Sequence, residues 1–321
     1  MSATKRLKYL WSGKVGRTFD YPVQAMQREL TVRGVGHVRN DNKLFRILGR
    51  GFSKLGLMRQ IADLSNTAYV APIMQVTEAR LFPVCYFAET IVYAMDCWPA
   101  RYDRWEAFFR RQRMKVAFIT ARLSAERMRQ RVPGLDAIWL PEAINVEGYT
   151  GEKPLVARSI DVLEMGRRFG DYHDKIRPHC AVRGYDHRYE KVVGQIIFPT
   201  YDDFVTALGD SKVSICFPSS LTHPARSGDV ETLTLRYLES IAARCILVGR
   251  CPAELKDLFG YNPMIEADLT DPAGQLDAIL ADVCAYQRQV DRNYQRLLEV
   301  GTWQVRVEEL LRQLRERGYQ P

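Results

Sequence analysis

Residues 212–249 read KVSICFPSSLTHPARSGDVETLTLRYLESIAARCILVG and contain, in order, the patterns of a strand, a loop, a helix and a strand. The apolar run at 212–217 predicts a buried strand, and a loop rich in proline and glycine follows it. Residues 230–243 have apolar side chains at helical spacing, and the run at 245–248 predicts the next strand. Strands that alternate with helices are typical of a parallel sheet, so this segment predicts an α/β fold.

The same alternation continues on both sides of this segment. It is interrupted at residues 141–154, where PEAINVEGYTGEKP has neither a helical nor a strand period and predicts a linker. We therefore expect two α/β units of near-equal size that join at about residue 148. In such sheets, ligands bind beyond the carboxyl ends of the strands, so we expect the two sheets to face a central cleft that holds the ligand.

The composition is that of an ordinary globular protein. With 321 residues, 46% hydrophobic and 26% charged, the chain is neither a disordered protein nor a disulfide-stapled miniprotein, and its length favours two domains. The basic start MSATKRLKYLWSGK lacks an apolar signal core, which predicts a cytoplasmic protein. Neither the seven cysteines nor the five histidines have metal-ligand spacing, so no metal site is expected.

The charge is uneven along the chain. Residues 1–150 carry a net charge of +11 and the remainder carries −3, within a total of +8. Residues 43–65 mix leucine and isoleucine with lysine and arginine at helical spacing, which is typical of a basic amphipathic stretch. An anionic membrane surface, a nucleic acid and a phosphorylated acceptor all fit such a surface.

The segment DVLEMGRRFGDYHDK, residues 161–175, ends a predicted strand at a turn. Gly166 permits a tight turn there, and Arg167 and Arg168 follow at the carboxyl end of the strand. A guanidinium group suits bidentate contact with a diphosphate, although an arginine pair in a loop can equally be solvated surface.

A second set of candidates lies in the helix predicted to begin near Asp229 or Val230. Its first-turn amides at Glu231, Thr232 and Leu233 would be free donors for an anion. Glu231 and Glu239 are eight residues apart, so both would address one side of that helix. The alternative is structural, with Glu231 favouring the helix dipole and Glu239 pairing one turn back.

These residues carry a resemblance. The Glu231-x7-Glu239 arrangement, with an arginine turn upstream, looks like the donor half of GT-B glycosyltransferases, similar to family 4 and nearer still to the CgeB-like group. TLRYLESIAARCILVG resembles that group's donor helix, turn and strand, and NYQRLLEVGTWQVRVEELLRQL resembles its closing helices. The resemblance covers residues 155–315 well and the first 150 residues weakly.

The resemblance implies two Rossmann-like domains and a final helix. The implied domains are an acceptor-binding domain at 1–148, a donor-binding domain at 149–300, and a C-terminal helix at 301–321 that returns to the first domain. The implied activity is sugar transfer from a UDP-, GDP- or dTDP-sugar, with no metal, no further cofactor and retention of configuration.

The resemblance also implies roles for single residues. Glu239 matches the residue that binds the donor ribose, and Glu231 matches the catalytic one near the donor sugar. The implied diphosphate ligands are Gly166, Arg167, Arg168, Lys175 and the amides of Thr232, Leu233 and Thr234. The sequence departs from the family where Glu-Gly-Phe-Gly is replaced by Glu231-Thr232-Leu233-Thr234 and where a turn glycine is Arg244.

The segment ETIVYAMDCWPARYDRWEAFF, residues 89–109, offers a candidate for the acceptor. Asp96 and Trp98 follow a predicted strand, so Asp96 could act as the catalytic base on an acceptor hydroxyl and Trp98 could stack on a sugar. A helix cap and core packing are the structural alternatives.

The resemblance implies a nucleotide-sugar donor as partner. The basic N-terminal half leads us to expect a glycan or lipid-linked acceptor and peripheral contact with an anionic inner membrane surface. A nucleic-acid binding protein or a DNA-modifying glycosyltransferase is the alternative. It rests on the basic half and on the aromatic residues interleaved with Arg110, Arg111 and Arg113. A donor-binding fold that has lost catalysis is a third reading, because Glu231 has an atypical context.

Overall fold

The computed structural model describes residues 4–11, 21–39, 42–149, 152–192 and 194–321. The sequence at Gly13–Arg17 favours a plain loop over a phosphate-binding turn, and this segment lies outside the described residues.

The strands are β1 (Lys5–Trp11), β2 (Gly36–Arg39), β3 (Thr67–Met74), β4 (Glu89–Met95), β5 (Val116–Ile119), β6 (Asp136–Trp139), β7 (Ile160–Glu164), β8 (His187–Tyr189), β9 (Ser211–Cys216), β10 (Ile246–Gly249), β11 (Ile265–Glu266) and β12 (Tyr319–Gln320). The helices are α1 (Tyr21–Val32), α2 (Lys43–Lys54), α3 (Tyr102–Arg111), α4 (Arg122–Arg131), α5 (Gly170–Arg183), α6 (Tyr201–Gly209), α7 (Ser219–Thr222), α8 (Pro224–Ser227), α9 (Leu235–Ala242), α10 (Ala253–Phe259), α11 (Pro272–Ala281), α12 (Gln287–Val300) and α13 (Trp303–Glu316).

The chain divides into two compact units. The first unit contains Met1–Glu142, Arg226–Val230 and Trp303–Pro321, and the second contains Ala143–Ala225 and Glu231–Thr302. The predicted linker region therefore belongs to the second unit from Ala143 onward.

A parallel sheet forms the centre of the first unit, with the strand order β12-β1-β3-β4-β5-β6 and with β2 also paired to β1. The sheet is apolar because its middle strands are covered on both faces, and all seven residues of β4 are buried. Helix α3 contributes Trp105, Phe108 and Phe109 to the core against these strands.

The end of the chain completes the first unit. Helix α13 packs against α1, and β12 extends the sheet by pairing Tyr319 and Gln320 with Lys5 and Arg6 of β1. The expected return of the last helix to the N-terminal domain is confirmed.

The segment Arg226–Val230 also belongs to the first unit, which the sequence did not indicate. The Arg127 guanidinium donates to both carboxylate oxygens of Asp229, at 2.7 and 2.6 Å. Val230 is buried beside Trp98 and Ala121. The five-residue segment is therefore fixed to the first unit by an ion pair and by apolar packing.

The second unit has a parallel sheet in the order β11-β10-β9-β7-β8. Neighbouring residues of β7 point to opposite faces, so Val162 packs with α5 and α11 while Leu163 packs with α9. Helices cover both faces of the sheet, and the expected α/β class with two parallel sheets is confirmed.

Gly249, the last residue of β10, lies against the backbone of Cys216 in β9. A Cβ atom there would lie 1.9 Å from the Cys216 carbonyl oxygen, and the residue has φ +149. Because the obstructing atoms are backbone, they cannot rotate away.

Gly249→Ala should lower the free energy of unfolding by about 3 kcal/mol, since β9 and β10 must separate to admit the methyl group. Urea unfolding measures this change. Gly148→Ala is the matched control because no atom lies within 4 Å of its Cβ position. Equal stability of the two variants would contradict the prediction.

Candidate functional site

The carboxyl ends of the parallel strands in the second unit lie at one edge of its sheet. Glu164 of β7 is in register with Ile215 of β9, and Cys216 of β9 is in register with Gly249 of β10. The turns that follow these strands therefore collect at this edge, which is where ligands bind in such sheets.

The predicted turn after β7 is present. Gly166 has φ +63, and a Cβ atom there would lie 3.0 Å from Nη2 of Arg236. Nη1 of Arg236 donates to the Arg167 carbonyl at 3.3 Å. The absence of a side chain at Gly166 thus lets the first turn of α9 approach the arginine turn.

The guanidinium group of Arg168 at this turn is held by neutral groups. Arg168 donates to the Glu190 carbonyl, and its Cζ lies 5.4 Å from the centre of the Tyr189 ring. Within the part of the chain that the structure describes, neither Arg168 nor Arg236 forms an ion pair with a carboxylate. Their positive charge is therefore available to an anion. Arg236 was not predicted as an anion ligand, because the sequence offered it only as a structural partner of Glu239 one turn away.

The predicted start of the donor helix is wrong. Helix α9 begins at Leu235, after Thr234 at its N-cap, and not near Asp229 or Val230. The cause is Glu254 of α10, whose Oε2 accepts from the Thr232 hydroxyl at 2.6 Å and from the Leu233 amide at 3.0 Å. These bonds hold the preceding residues outside the helix.

This shift corrects two further expectations. Glu231 lies before α9, so Glu231 and Glu239 do not share one side of a helix. The Leu233 amide is not a free donor, and the Thr232 hydroxyl is also bonded to Glu254. Thr234 makes no side-chain capping bond.

Glu231 is partly exposed and lies beside the residue that follows β10. Its Oε1 is 3.5 Å from Nε of Arg250. The edge thus carries a further guanidinium, paired to a carboxylate in this case.

Glu239 lies in the middle of α9 among polar aromatic side chains. Its Oε1 accepts from the Tyr149 hydroxyl at 3.4 Å, and the Tyr149 and Tyr201 hydroxyls are 2.7 Å apart. Burial raises the pKa of Glu239 to about 7, against the lowering by Arg236 and by the Tyr149 hydrogen bond. The sequence predicted a linker around Tyr149, so its hydrogen bond to Glu239 was not foreseen.

Lys175 of α5 has a partner elsewhere in the second unit. Its ammonium group donates to the Leu269 carbonyl. The ammonium group keeps two further N–H donors for an anion.

In the first unit, Asp96 has φ +58, and its carboxylate contacts one indole N–H group and one guanidinium group. Its Oδ1 accepts from the Trp98 indole at 2.9 Å and pairs with Nη2 of Arg226 at 2.8 Å. Trp98 is buried, with the Arg226 guanidinium 5.1 Å from the centre of its ring. The tryptophan therefore packs in the first unit and offers little ring face to a sugar.

The aromatic residues between the basic residues of 98–113 are core residues. Trp105, Phe108 and Phe109 are fully buried. The neighbouring Arg110 and Arg111 pair with Glu106 and Glu78. Bases cannot stack on buried rings, so this run is not a nucleic-acid stacking surface.

A buried triad of Glu164, His173 and His187, which was not predicted from the sequence, supports the arginine turn. Glu164 Oε1 accepts from His173 Nδ1 at 2.6 Å and from His187 Nε2 at 2.7 Å. Tyr189 packs on both imidazole rings, with centroid distances of 4.8 and 4.6 Å, and carries Arg168 on its own ring. The triad thus connects the end of β7 with the ring that positions Arg168.

The same three residues have the donor set of a metal site, with ligand atoms within 4.8 Å of one another. Metal bonds of roughly 2.0–2.2 Å would require the nitrogen and oxygen atoms to lie about 3.3 Å apart. The observed contacts are hydrogen bonds. Among the described residues, the buried Nδ1 of His187 has no hydrogen-bond partner, whereas the second nitrogen of a ligating histidine normally has one. As it stands, the triad is a hydrogen-bonded support for the turn.

Burial would raise the pKa of Glu164, but the hydrogen bonds from His173 and His187 outweigh it and leave the pKa below the usual value. A lowered folded-state pKa stabilises the protein above the unfolded value, and this stability is lost as the pH falls through the folded value.

The architecture matches known structures, although a scan of family models and a search of curated proteins found no match. Sucrose-phosphate synthase from Thermosynechococcus elongatus is similar with TM-score 0.57 and 12% identity, over 98% of this chain and 99% of that one. HepE from Anabaena, solved with UDP and glucose, has TM-score 0.59 and 8% identity, over 97% and 100%.

An alpha-glucosyltransferase, solved with UDP and a 13-mer DNA containing an HMU base, has TM-score 0.51 and 12% identity, over 96% and 98%. These proteins are GT-B glycosyltransferases. The chain therefore has the GT-B fold, with two parallel α/β units and a last helix that returns to the first.

Glu164→Gln should lower the free energy of unfolding by about 3 kcal/mol at neutral pH, because two imidazoles lose their shared carboxylate. The difference from the wild type should shrink as the pH falls below about 4.5. Urea unfolding at several pH values measures both effects. Glu152→Gln, an exposed glutamate, is the control, and a difference that does not depend on pH would contradict the assignment.

Proposed function

We propose that this protein transfers a sugar from a nucleoside-diphosphate sugar to a glycan or lipid-linked acceptor. The observation that carries the proposal is the position of Arg236, which joins α9 to the Gly166–Arg168 turn. Among the described residues, no carboxylate forms an ion pair with Arg236 or with Arg168. A diphosphate has the charge and the geometry for such groups.

The fold supports a nucleotide donor. HepE and the alpha-glucosyltransferase share this architecture and were solved with UDP. We infer UDP-, GDP- or dTDP-sugars as the donor class. The resemblance of the sequence pattern around Glu239 supports our further proposal that the chain is similar to family 4 and to the CgeB-like group.

Each proposed role follows from chemistry at the sheet edge. Arg167, Arg168 and Arg236 would stabilise the negative charge that develops on the leaving diphosphate, which needs no metal ion. Glu239 would accept hydrogen bonds from the ribose, and Glu231 would orient the sugar. We also propose that the anomeric configuration of the sugar is retained. The anomer of the product tests retention, and turnover in the presence of a chelator tests the independence from metal.

Asp96 is the proposed acceptor residue of the first unit. Its Oδ1 pairs with Arg226 and accepts from the Trp98 indole, so two donors fix the carboxylate in place. A carboxylate held in this way would position an acceptor hydroxyl by accepting a hydrogen bond from it.

The proposed function predicts that UDP, GDP or dTDP raises the midpoint of thermal unfolding. Arg236→Gln should weaken the affinity for that nucleotide roughly 10- to 100-fold, because a charge-assisted bond is lost. Arg188→Gln is the matched control, since Arg188 pairs with Asp186. Stabilisation by none of the three nucleotides, or equal weakening in both variants, would overturn the proposal.

Glu239 predicts a pH dependence of nucleotide binding. An ionised carboxylate accepts the ribose hydroxyl bonds, and its pKa is raised to about 7, so affinity should increase about tenfold from about pH 6 to about pH 8. Titration calorimetry measures the profile. In Glu239→Gln, the only pH dependence of binding left should come from ionisation of the nucleotide itself. Identical pH profiles for the variant and the wild type would show that Glu239 does not bind the ribose.

A further inference from the structure

Helix α2 and the residues after it expose an unusual number of large apolar side chains. We call residues 43–64 the α2 ridge. Leu44 is 57% exposed, Ile47 56%, Leu55 73% and Leu64 77%. Soluble proteins scatter such residues singly, whereas a contiguous exposed group marks an interaction site.

These side chains are not the core-facing side of the helix. Phe45 and Phe52 already pack against the core of the first unit. Between them, a Cβ atom at Gly49 would lie 2.8 Å from the Ala79 carbonyl oxygen, so this side of α2 is in close contact with the unit. The exposed apolar residues form a separate stripe.

The positions on the helix separate three faces. At about 100° per residue, Leu44, Ile47, Leu48 and Leu55 fall within an arc of about 100°. A neighbouring arc of about 80° holds the basic residues, and the buried side occupies the remainder. The basic residues of that arc are Lys43, Arg46, Arg50 and Lys54.

The basic face is not neutralised. From residue 43 to 62 the sequence has no aspartate or glutamate. All four basic side chains are exposed, and none forms an ion pair with a carboxylate in the described ranges of the chain. An apolar stripe beside an uncompensated basic stripe is the pattern of a helix that lies in a membrane interface.

Further exposed apolar side chains follow the helix on a backbone that is hydrogen-bonded to the first unit. Leu57 and Ile61 are also exposed. The amides of Ile61 and Leu64 donate to the carbonyls of Tyr86 and Phe87, at 3.0 Å each. The folded first unit therefore holds these side chains at its surface, so little further ordering is needed on docking.

We propose that the α2 ridge docks this protein on an anionic lipid membrane. The leucine and isoleucine side chains enter the boundary between headgroups and acyl chains, and the lysine and arginine side chains contact lipid phosphates. The proposal goes beyond sugar transfer and does not depend on the donor site.

Other occupants fit the ridge less well. A second copy of the chain would place basic stripes of the same sign against each other. Nucleic acid would bury aliphatic side chains against a charged backbone that offers them no apolar contact. Lipid alone provides both an anionic layer and an apolar layer.

Flotation of the full chain with vesicles tests the proposal. Binding should occur to phosphatidylcholine vesicles that contain about 30% phosphatidylglycerol and not to phosphatidylcholine alone, and should weaken with salt. The triple variant Leu44→Ser/Ile47→Ser/Leu55→Ser should bind at least tenfold more weakly. Val182→Ser/Val192→Ser/Ile196→Ser removes exposed apolar side chains from the second unit and should bind as the wild type does.

Two double variants that each remove two positive charges complete the test. Arg46→Gln/Arg50→Gln should bind these vesicles at least tenfold more weakly, whereas Arg104→Gln/Arg315→Gln, with the same loss of charge, should not. Urea unfolding serves as the folding check, and all variants should keep a cooperative transition close to that of the wild type. No vesicle binding, equal loss in ridge and control variants, or concentration-dependent self-association abolished by the triple variant would overturn the proposal.

Discussion

Parallel pairing is the constraint on which the second unit depends. Because β7, β9 and β10 run in one direction, the residues that follow them arrive at the same edge without any specific recognition between their side chains. The sheet thus brings the Gly166–Arg168 turn and Arg250 to one edge. Only the fine geometry, such as the contact of Arg236 with the turn, is left to particular residues.

The way in which the arginines are held decides what the edge can bind. Arg168 rests on a ring and a carbonyl, and Arg236 rests on a carbonyl, so both are positioned without loss of charge. Arg127 of the first unit is different, because a carboxylate takes both of its nitrogen donors. Cations held by dipoles remain attractive to an anion, whereas cations held by carboxylates are largely neutralised.

The sequence predicted the architecture because apolar runs and helical spacing are local signals. The β9 to β10 segment carries both, and the two sheets follow from its repetition along the chain. The return of α13 to the first unit was predicted from a family resemblance of the C-terminal sequence and not from periodicity.

The site was predicted less well because its contacts join distant residues. The start of α9 depends on Glu254, more than 20 residues away from the amide that it holds. The triad unites Glu164 with His173 and His187, which have no regular spacing. Tyr149 reaches Glu239 across 90 positions, from a stretch whose prolines and glycines indicate only a linker.

The small segment Arg226–Val230 means that the polypeptide passes between its units more often than a simple fusion of two domains would require. A cut at residue 142 separates neither half cleanly. The upstream fragment would lack the Asp229 partner of Arg127 and the terminal strand that lies along Lys5 and Arg6. A chimaera made by a single crossover at residue 142 would therefore lose contacts that the first unit makes with the downstream chain.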